Sequence, residues 1–357
     1  MRVNIGGTWT RLEALDKLPV HSEEEMDRDA IQFIREWQEG RTSFTFHTSG
    51  STGDPKPISF HRDQLVASAQ LTLKVLPLTP GMTALVCLDP RFVAGAMMIV
   101  RCLVGSIDMV IRPASSNPFT KLPEPIDFAA LVPLQVTTVL KESPAVLDAL
   151  KVLIVGGAPL PETVVSKLKD CHAHCYATYG MTETLTHIAL RKLNGPDKQS
   201  AFHLLPGIHA SLNELGCLVI EAPHLGPPIV THDIAEWTGH DSFRILGRSD
   251  EVINSGGVKV HPKKVEAILE RVLDELGYTF RFFIAGQPDE RLGQHVCLFI
   301  EGPPLSEAAE SAMLSHLNQW LSTYERPRQV VFCRSFVHTP TQKIDRYATM
   351  LRSIPKK

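Results

Sequence analysis

The sequence predicts an α/β protein: a large N-terminal domain of mainly parallel α/β sheets with a small β subdomain, followed by a small α+β domain. Short apolar segments alternate with amphipathic helices through residues 23–169, which is typical of a parallel sheet. Short strands broken by Gly and Pro occupy residues 201–243 and indicate the β subdomain. After residue 262, helical stripes and longer strands mix, which predicts the α+β domain.

The elements of the first half follow from hydrophobic periodicity. Residues 23–39 carry a helical stripe that Gly40 ends, and Phe44 and Phe46 alternate with polar residues as in a half-buried strand. The elements predicted after them, in chain order, are a helix from Leu65, a strand at residues 83–88, a buried helix at 90–103, strands at 108–112, 136–140 and 151–155, and a helix at 159–169.

The second half of the sequence predicts short strands and then two long helices. Residues 218–221 and 228–231 are predicted strands of the β subdomain. Pro262 opens a helix that ends before Gly277. The elements predicted after it are strands at residues 279–286, 295–301 and 329–333 and a helix at 313–324.

Composition and charge exclude several classes of protein. The 357 residues are 43% hydrophobic and 21% charged, as in an ordinary globular protein of two or three domains. The net charge of -3 argues against a nucleic-acid partner. The longest apolar run, residues 92–100 between Arg91 and Arg101, is too short to span a membrane, and the N-terminus lacks the apolar core of a signal peptide. Seven cysteines without a Cys-x-x-Cys pair predict reduced thiols and a cytoplasmic location.

Residues 171–175 hold two cysteines and two histidines in the order Cys-His-Ala-His-Cys. Thiolates and imidazoles are the side chains that bind zinc most often. Neighbouring residues of a strand point to opposite faces, so Cys171 and Cys175 would lie on one face and His172 and His174 on the other. A strand with small buried thiols is therefore favoured over a metal site.

Residues 48–57 form a loop of small polar residues between the strand of Phe46 and the helix of Leu65. Glycines allow a loop to turn its N–H groups toward an anion, hydroxyls add donors and a lysine adds charge, so this loop predicts a polyphosphate site. Asp54 and Pro55 separate the last glycine from the lysine, which excludes the common P-loop; a solvated linker is the alternative. The residues expected to bind the phosphates are Thr48, Ser49, Gly50, Ser51, Thr52, Gly53 and Lys56.

The order Thr-Ser-Gly-Ser-Thr-Gly-Asp-Pro-Lys closely resembles the phosphate-binding loop of the adenylate-forming superfamily, which includes acyl-CoA and aryl-CoA ligases, adenylation domains and luciferases. Residues 179–184, Tyr-Gly-Met-Thr-Glu-Thr, resemble a second signature of that superfamily. The resemblance implies that Thr182 contacts the phosphates, that Glu183 holds Mg²⁺ and that Tyr179 stacks on adenine. A carboxylate suits this metal, which binds one or two carboxylates together with phosphate oxygens. The other residues that the resemblance places beside the nucleotide are Gly157, Ala158, Gly180 and Met181.

Residues 231–233 and 247–262 also resemble superfamily motifs. Asp233 matches the aspartate that hydrogen-bonds the ribose, although His232 stands where the superfamily carries glycine. Arg248 matches the arginine that reaches the ribose and phosphate region, and Asp250 matches the hinge between the domains. The residues that match the lining of the thiol-acceptor tunnel are Gly256 and Gly257.

Residues 339–346 resemble the superfamily's Thr-Gly-Lys-Ile-x-Arg tail, with Gln342 in place of glycine. The resemblance makes Lys343 the catalytic lysine. It implies an AMP-forming acid–thiol ligase that uses ATP, Mg²⁺ and coenzyme A, and whose small C-terminal domain is mobile and rotates at Asp250 between adenylate and thioester formation. We therefore expect an adenylate-forming domain over residues 1–249 and a second domain over residues 250–357.

The short segment before the loop resembles the compact bacterial o-succinylbenzoate–CoA ligases of menaquinone biosynthesis. Residues 90–95 stand where relatives often carry Phe-His-x-x-Gly, with Phe92 in the place of the histidine. We therefore expect Arg91, Phe92 and Gly95 to line the site of a small carboxylic acid, with Arg91 meeting a second carboxylate. The alternatives are another acyl-CoA or aryl-CoA ligase, a stand-alone adenylation enzyme that loads a carrier protein, and a non-catalytic nucleotide-binding relative.

Overall fold

The computed structural model describes residues 1–17, 24–48, 56–339 and 343–353. Its α-helices are α1 (Glu25–Gln38), α2 (Arg62–Val75), α3 (Val93–Gly105), α4 (Pro133–Glu142), α5 (Ala145–Ala149), α6 (Glu162–Leu168), α7 (Pro262–Glu275), α8 (Glu307–Trp320) and α9 (Arg346–Ser353). Its strands are β1 (Arg2–Ile5), β2 (Thr8–Arg11), β3 (Ser43–His47), β4 (Pro57–His61), β5 (Thr83–Val86), β6 (Asp108–Ile111), β7 (Phe128–Leu131), β8 (Val152–Val155), β9 (His174–Gly180), β10 (His187–Lys192), β11 (Phe202–Leu204), β12 (His209–Leu212), β13 (Cys217–Glu221), β14 (Ile229–Trp237), β15 (Ser242–Arg248), β16 (Ile253–Ser255), β17 (Val258–Val260), β18 (Arg281–Asp289), β19 (Gly293–Glu301) and β20 (Gln329–Cys333).

A 13-stranded sheet in the order β12-β13-β14-β15-β11-β10-β9-β8-β7-β5-β6-β1-β2 organises the part of the chain before residue 249. The strands β1, β6, β5, β7, β8 and β9 pair in parallel. Every residue of β5, β6, β7 and β8 is buried, and alternate residues enter two separate hydrophobic cores. Burial on both faces is typical of parallel strands covered from two sides, so the predicted parallel α/β sheet is confirmed.

The segment predicted to form a β subdomain makes the antiparallel part of the same sheet. The predicted strands at residues 218–221 and 228–231 are present as β13 and the start of β14. Strand β9 pairs in parallel with β8 and antiparallel with β10, so it belongs to both parts of the sheet. The antiparallel strands therefore return toward β9 rather than forming a sheet of their own.

A second, five-stranded sheet follows residue 250, with the order β17-β16-β19-β18 and β20 paired to β19. Helices α7 and α8 contribute Val265, Leu269 and Leu317 to its core, where they meet Leu298 of β19. These elements confirm the predicted α+β character of this segment.

Two elements near the middle of the chain differ from the sequence prediction. Residues 136–140 were expected to form a strand but belong to helix α4, and the buried strand β7 was not predicted. A short apolar run does not distinguish a strand from a buried helix. Pro133 at the first turn of α4 is the local signal that favours the helix.

The cysteine–histidine segment lies before and at the start of β9. Cys175 is buried in the strand, whereas His174 is exposed and Cys171 is half-buried. No group of three or more His, Cys, Asp or Glu side chains able to hold a metal occurs within the four described ranges. No helix in those ranges is both long and apolar enough to cross a membrane.

We predict that Gly95→Ala lowers the melting temperature of the protein. A Cβ at Gly95 would lie 2.3 Å from the carbonyl oxygens of Leu88 and Asp89, so the main chain must shift, at a cost of about 1–3 kcal/mol. Gly105→Ala, in the same helix, is the matched control, because its Cβ would meet the flexible end of the Leu73 side chain at 2.9 Å. Differential scanning fluorimetry should show the larger loss for Gly95→Ala; a larger loss for the control would contradict this account.

Candidate active site

The carboxyl ends of the neighbouring parallel strands β8 and β9 carry two of the predicted motifs. Gly157 and Ala158 follow β8, while Gly180 ends β9 and Met181 and Thr182 follow it. Because the ends of parallel strands meet at one edge of a sheet, these segments lie side by side. Ligands of open α/β sheets bind at this edge.

Two glycines at this edge lie too close to neighbouring atoms for any side chain. A Cβ on Gly156 would lie 2.2 Å from Oγ1 of Thr178, and a Cβ on Gly180 would lie 2.3 Å from the carbonyl oxygen of Thr186. No side chain fits at these distances, so glycine is required at both positions unless Thr178 or Thr186 moves. The segment after β9 therefore folds back directly onto the strand.

The turn that holds Glu183 is fixed by a buried hydroxyl. Thr184 is 0% exposed, and its Oγ1 accepts from the N–H of Met181 at 2.9 Å and lies 2.7 Å from the carbonyl oxygen of Thr186. Glu183 itself is exposed. The motif was predicted, but Thr184 was not identified as the residue that holds this turn; its position next to Glu183 was the available signal.

Asp233 joins strands β9 and β15 through its carboxylate. The hydroxyl of Tyr179 donates to Oδ2 of Asp233 at 2.7 Å, and Nη1 of Arg248 donates to Oδ1 at 3.2 Å. Asp233 and Arg248 are paired residues of the neighbouring strands β14 and β15, and Asp233 is only 9% exposed. The structure therefore brings together three predicted site residues that lie far apart in the sequence.

The ring of Tyr179 packs against two phenylalanines. Its centroid lies 5.8 Å from that of Phe202 and 5.3 Å from that of Phe243. Burial, followed by the charge of Asp233, raises the pKa of the Tyr179 hydroxyl, so this group stays protonated as a donor. Stacking of Tyr179 on adenine stays a prediction.

His232 replaces the expected glycine without disturbing Asp233. Residues 229–237 are extended in β14, so His232 and Asp233 point to opposite faces of the sheet. His232 is exposed, and its Nδ1 lies 3.3 Å from Oγ of Ser249. An extended backbone at this position accepts a side chain, so glycine is not required here.

Arg248 also binds Asp250, the residue predicted to be the hinge. Its Nε donates to Oδ1 at 2.9 Å and its Nη2 donates to Oδ2 at 2.7 Å, which is the bidentate pairing of a guanidinium with a carboxylate. Burial raises the pKa of the Asp250 carboxyl, but the hydrogen bonds and the charge of Arg248, together with smaller contributions, outweigh burial and leave this pKa below its ordinary value. One guanidinium thus connects the candidate ribose site with the candidate hinge.

Lys343 approaches this cluster from the segment that follows the second sheet. Burial and the charge of Arg248 lower the pKa of the Lys343 ammonium, while the carboxylates of Glu183 and Asp233 act in the opposite direction. Its N–H donates to Oγ1 of Thr339 at 3.2 Å, and its carbonyl accepts from the N–H of Thr339 at 2.8 Å. The structure therefore places Lys343 where the charges of Glu183, Asp233 and Arg248 act on it.

Ion pairs with Arg346 hold the segment that carries Lys343. Nη1 of Arg346 lies 3.5 Å from Glu251, and Nη2 lies 3.0 Å from Glu266 of α7. Glu251 is next to the candidate hinge, so this arginine anchors the Lys343 segment to the start of the second sheet and to α7. Neither glutamate belongs to a predicted site.

The predicted phosphate loop joins two strands rather than a strand and a helix. Strands β3 and β4 are antiparallel, so the expected helix follows only after β4. Thr48 and Lys56 close the base of the loop, because the N–H of Thr48 donates to the carbonyl of Lys56 at 3.0 Å and the N–H of Lys56 donates to Oγ1 of Thr48 at 3.0 Å. The predicted residues Ser49, Gly50, Ser51, Thr52 and Gly53 lie outside the described residues.

Residues predicted to line the acid site lie at the start of α3, where Arg91 has acidic partners. Its guanidinium is 2.6 Å from Glu25, 2.7 Å from Asp89 and 3.4 Å from Asp29. These carboxylates bind the N–H groups of Arg91 that were expected to bind a substrate carboxylate. None of the three belongs to the Lys343 cluster. Contact of Arg91, Phe92 or Gly95 with an acid stays a prediction.

Gly256 and Gly257 form the turn between β16 and β17. Their φ angles are 60° and 83°, a region that favours glycine. Both are exposed, and a Cβ on Gly256 would lie 2.8 Å from the ring of Tyr324. The turn itself explains the glycines, and their contact with a thiol stays a prediction.

Comparison with known proteins identifies related sequences. Residues 7–213 match the family model described as AMP-binding enzyme. The 2-succinylbenzoate–CoA ligase of Lactococcus lactis is 24% identical over 334 residues, which cover 88% of this chain and 72% of that protein. A probable 2-succinylbenzoate–CoA ligase of Mycobacterium tuberculosis is 27% identical over 332 residues, which cover 85% of this chain and 83% of that protein.

Solved structures show the same fold. An acyl-CoA synthetase (AMP-forming)/AMP-acid ligase II-like protein from Dyadobacter fermentans is 36% identical with a TM-score of 0.61, and the match covers 96% of this chain and 98% of that one. An o-succinylbenzoate coenzyme A synthetase from Bacillus subtilis, solved with ATP and a magnesium ion, has a TM-score of 0.73 at 17% identity and coverages of 86% and 69%. At 17% identity, the likeness to the Bacillus subtilis structure concerns the fold alone.

Proposed function

Because the chain belongs to the AMP-binding enzyme family, as an AMP-forming acyl-CoA synthetase, we propose that it ligates 2-succinylbenzoate to coenzyme A with consumption of ATP. The observation that carries the proposal is that Lys343 lies where the charges of Glu183, Asp233 and Arg248 act on it, while Arg248 itself binds Asp233. The choice of acid is supported by the similarity to 2-succinylbenzoate–CoA ligases.

In the first half-reaction, the substrate carboxylate attacks the α-phosphorus of ATP and pyrophosphate leaves. The ammonium of Lys343 lies with the nucleotide-site residues and stabilises the negative charge that gathers between the carboxylate and the phosphate. The carboxylate of Asp233 accepts from the ribose hydroxyls, held in place by Tyr179 and Arg248. Thr48 and Lys56 stand at the base of the loop that holds the leaving phosphates.

Glu183 is the residue that would hold Mg²⁺. It is exposed at the turn after β9, and an oxygen ligand of this kind fits the preference of the metal. Bound there, Mg²⁺ supplies charge neutralisation to the phosphates. Thr184 contributes by fixing the turn that carries this carboxylate.

In the second half-reaction, the thiol of coenzyme A replaces AMP on the acyl group. We propose that Lys343 then leaves the reacting carboxyl. We propose that residues 250–357 rotate at Asp250 and bring Gly256 and Gly257 to the thiol. The bidentate bond between Arg248 and Asp250 spans this boundary, so it changes when the domain rotates.

We predict that Asp250→Pro separates the two half-reactions. Proline fixes φ near −65°, so the chain keeps one arrangement and cannot rotate. Adenylate formation, measured by ATP–pyrophosphate exchange, should remain within about threefold of wild type, whereas thioester formation should fall by about two orders of magnitude. Asp250→Ala is the matched control, since it removes the carboxylate and leaves φ free. If Asp250→Pro loses both half-reactions equally and Asp250→Ala does not, the result would contradict rotation at this residue.

We predict that adenylate formation declines as the pH rises through the pKa of Lys343, which burial holds below the ordinary lysine value of 10.5. The reactive form is the ammonium, so activity is present below this pKa and lost above it. Glu183→Gln removes an attracting charge and should move the decline to lower pH, while Arg248→Met removes a repelling charge and should move it to higher pH. Pyrophosphate exchange at saturating substrates, measured against pH, tests both shifts; shifts in the same direction would contradict the role of Lys343.

The substrate assignment is tested by a panel of carboxylic acids in the ATP–pyrophosphate exchange assay, followed by detection of the thioester with coenzyme A. We expect 2-succinylbenzoate to give the highest kcat/KM of the panel. A higher value for another acid would place the enzyme among other acyl-CoA ligases. Exchange without transfer to coenzyme A would indicate an enzyme that loads a carrier protein, and no exchange with any acid would indicate a nucleotide-binding relative.

A further inference from the structure

We propose that Glu270 is a positioning residue: its carboxylate binds the start of helix α6 and so holds the second sheet in the arrangement in which Lys343 reaches the nucleotide site. The inference rests on the proposed function, because it concerns the step in which Lys343 serves adenylate formation. Glu270 lies in α7, which packs on the second sheet, whereas α6 follows β8 of the 13-stranded sheet. The contact therefore joins the parts of the chain on either side of Asp250.

The carboxylate of Glu270 meets the first residues of α6. Oγ1 of Thr163 donates to Oε1 of Glu270 at 3.5 Å. The N–H groups of Thr163 and Glu162 also act on this carboxylate as donors and lower its pKa. Glu270 and Thr163 are both half-buried, so the contact is shielded from water on one side. Glu270 thus binds α6 through one hydroxyl and two main-chain groups.

Helix α6 has no side-chain cap of its own. The first N–H groups of a helix lack a partner within the helix, and a Ser, Thr, Asp or Asn before the first turn usually supplies one. Pro161 stands at this position in α6 and makes no such bond. The dipole of a helix also favours a carboxylate at its beginning. Glu270 therefore supplies, from the second sheet, the acceptor that the sequence before α6 lacks.

The same face of α7 holds the segment that carries Lys343. Glu266 lies one helical turn before Glu270, so the two side chains share a face of the helix. Oε1 of Glu266 is 3.0 Å from Nη2 of Arg346, which follows Lys343 by three residues. Glu266 also accepts from the N–H of Ile284 in β18 at 3.0 Å. The position of α7 against α6 therefore sets the position of Lys343 relative to the first sheet.

Helix α6 is itself anchored beside the candidate nucleotide site. Gly157 and Ala158 follow β8, and α6 begins four residues after Ala158. This short connection keeps the start of α6 near the edge of the sheet where the nucleotide motifs lie. The residues of α6 that are buried in the core of the sheet are Val164, Val165 and Leu168. Glu270 thus binds a helix that is fixed relative to the site.

The charge of Glu162 opposes the contact. Burial raises the pKa of Glu270, and the neighbouring carboxylate of Glu162 acts in the same direction. Nη1 of Arg191 lies 3.4 Å from Oε1 of Glu162 and offsets part of this repulsion. Three donors and one like charge leave a contact of modest strength. An enzyme that alternates between two arrangements can break such a contact in every cycle.

The first test measures the arrangement of the two sheets by single-molecule fluorescence energy transfer without any substrate. Dyes are attached through Lys141→Cys in α4 and Ser315→Cys in α8, two exposed positions, in a Cys171→Ser background, since the other native cysteines are buried. Glu270→Ala should lower the equilibrium constant for the docked arrangement about three- to tenfold, because the donors of α6 lose their acceptor.

Matched variants separate this role from a general effect on stability. Glu270→Gln keeps an acceptor oxygen and should stay within about twofold of wild type. Glu162→Gln removes the like charge and should raise the equilibrium constant for docking. Glu275→Gln, which changes an exposed glutamate of the same helix, is the control and should match wild type. A merely structural role of Glu270 would lower the melting temperature without changing the populations.

The second test measures the two half-reactions separately. Glu270→Ala should slow adenylate formation about three- to tenfold in a single turnover, because only this step needs Lys343 at the nucleotide site. Transfer of the acyl group from preformed acyl-adenylate to coenzyme A should be at least as fast as in wild type. Glu270→Gln should restore adenylate formation.

Unchanged populations in Glu270→Ala, or equal losses in the Ala and Gln variants, would overturn the proposal. Equal slowing of both half-reactions would overturn it as well. The energy-transfer measurement needs no acid, so it separates this outcome from failure of the proposed function. A shift of the populations without exchange for any acid would support Glu270 and contradict the ligase reaction, whereas exchange with 2-succinylbenzoate that Glu270→Ala does not slow would contradict only the role of Glu270.

Discussion

The guanidinium of Arg248 is shared between two carboxylates, and the rest of the candidate site depends on that sharing. Its Nε and Nη2 atoms bind Asp250, while Nη1 binds Asp233, which in turn accepts from Tyr179. A lysine could not replace it, because one ammonium cannot present two donors in parallel to one carboxylate and a third to another. The orientation of the candidate ribose site is thus tied to the residue at the boundary between the two sheets.

Charges of both signs meet around this arginine before any ligand binds. Two cations, Arg248 and Lys343, lie with the carboxylates of Asp233, Asp250 and Glu183, and the burial of Asp233 and Lys343 strengthens the interactions among them. A nucleotide brings phosphate groups into this balance and shifts it toward negative charge, which favours the ammonium form of Lys343. The site therefore holds its lysine in a state that the substrate itself reinforces.

Much of the fold was predictable because strong local signals agreed with it. The alternation of apolar segments predicted the parallel sheet, and the motifs around Tyr179, Asp233, Arg248 and Lys343 named residues that the structure brings together. Part of the helix at residues 133–142 was predicted as a strand, and strand β7 was not predicted. Short apolar runs fit a helix or a strand equally well, and only packing decides between the two.

The two arginines at the ends of the apolar run show why the partners of a charged side chain were harder to predict. In the sequence, Arg91 and Arg101 are equivalent, since each marks one limit of residues 92–100. In the structure, Arg91 lies among carboxylates and Arg101 lies among threonines. These partners come from α1, α2 and the turn after β9, and no pattern within the run itself specifies them.

The approach of Thr186 to Gly180 limits how this site can change in evolution. Any side chain at residue 180 would displace the main chain at 186 and 187, and with it the hydroxyl that Arg101 uses and the carbonyl beside Thr184. Position 180 therefore cannot vary alone, whereas position 232, whose side chain points to solvent, can accept substitutions singly. In a diverging lineage, a new preference for the acid would accumulate through changes at residues other than Gly180, with the metal-binding turn kept as it is.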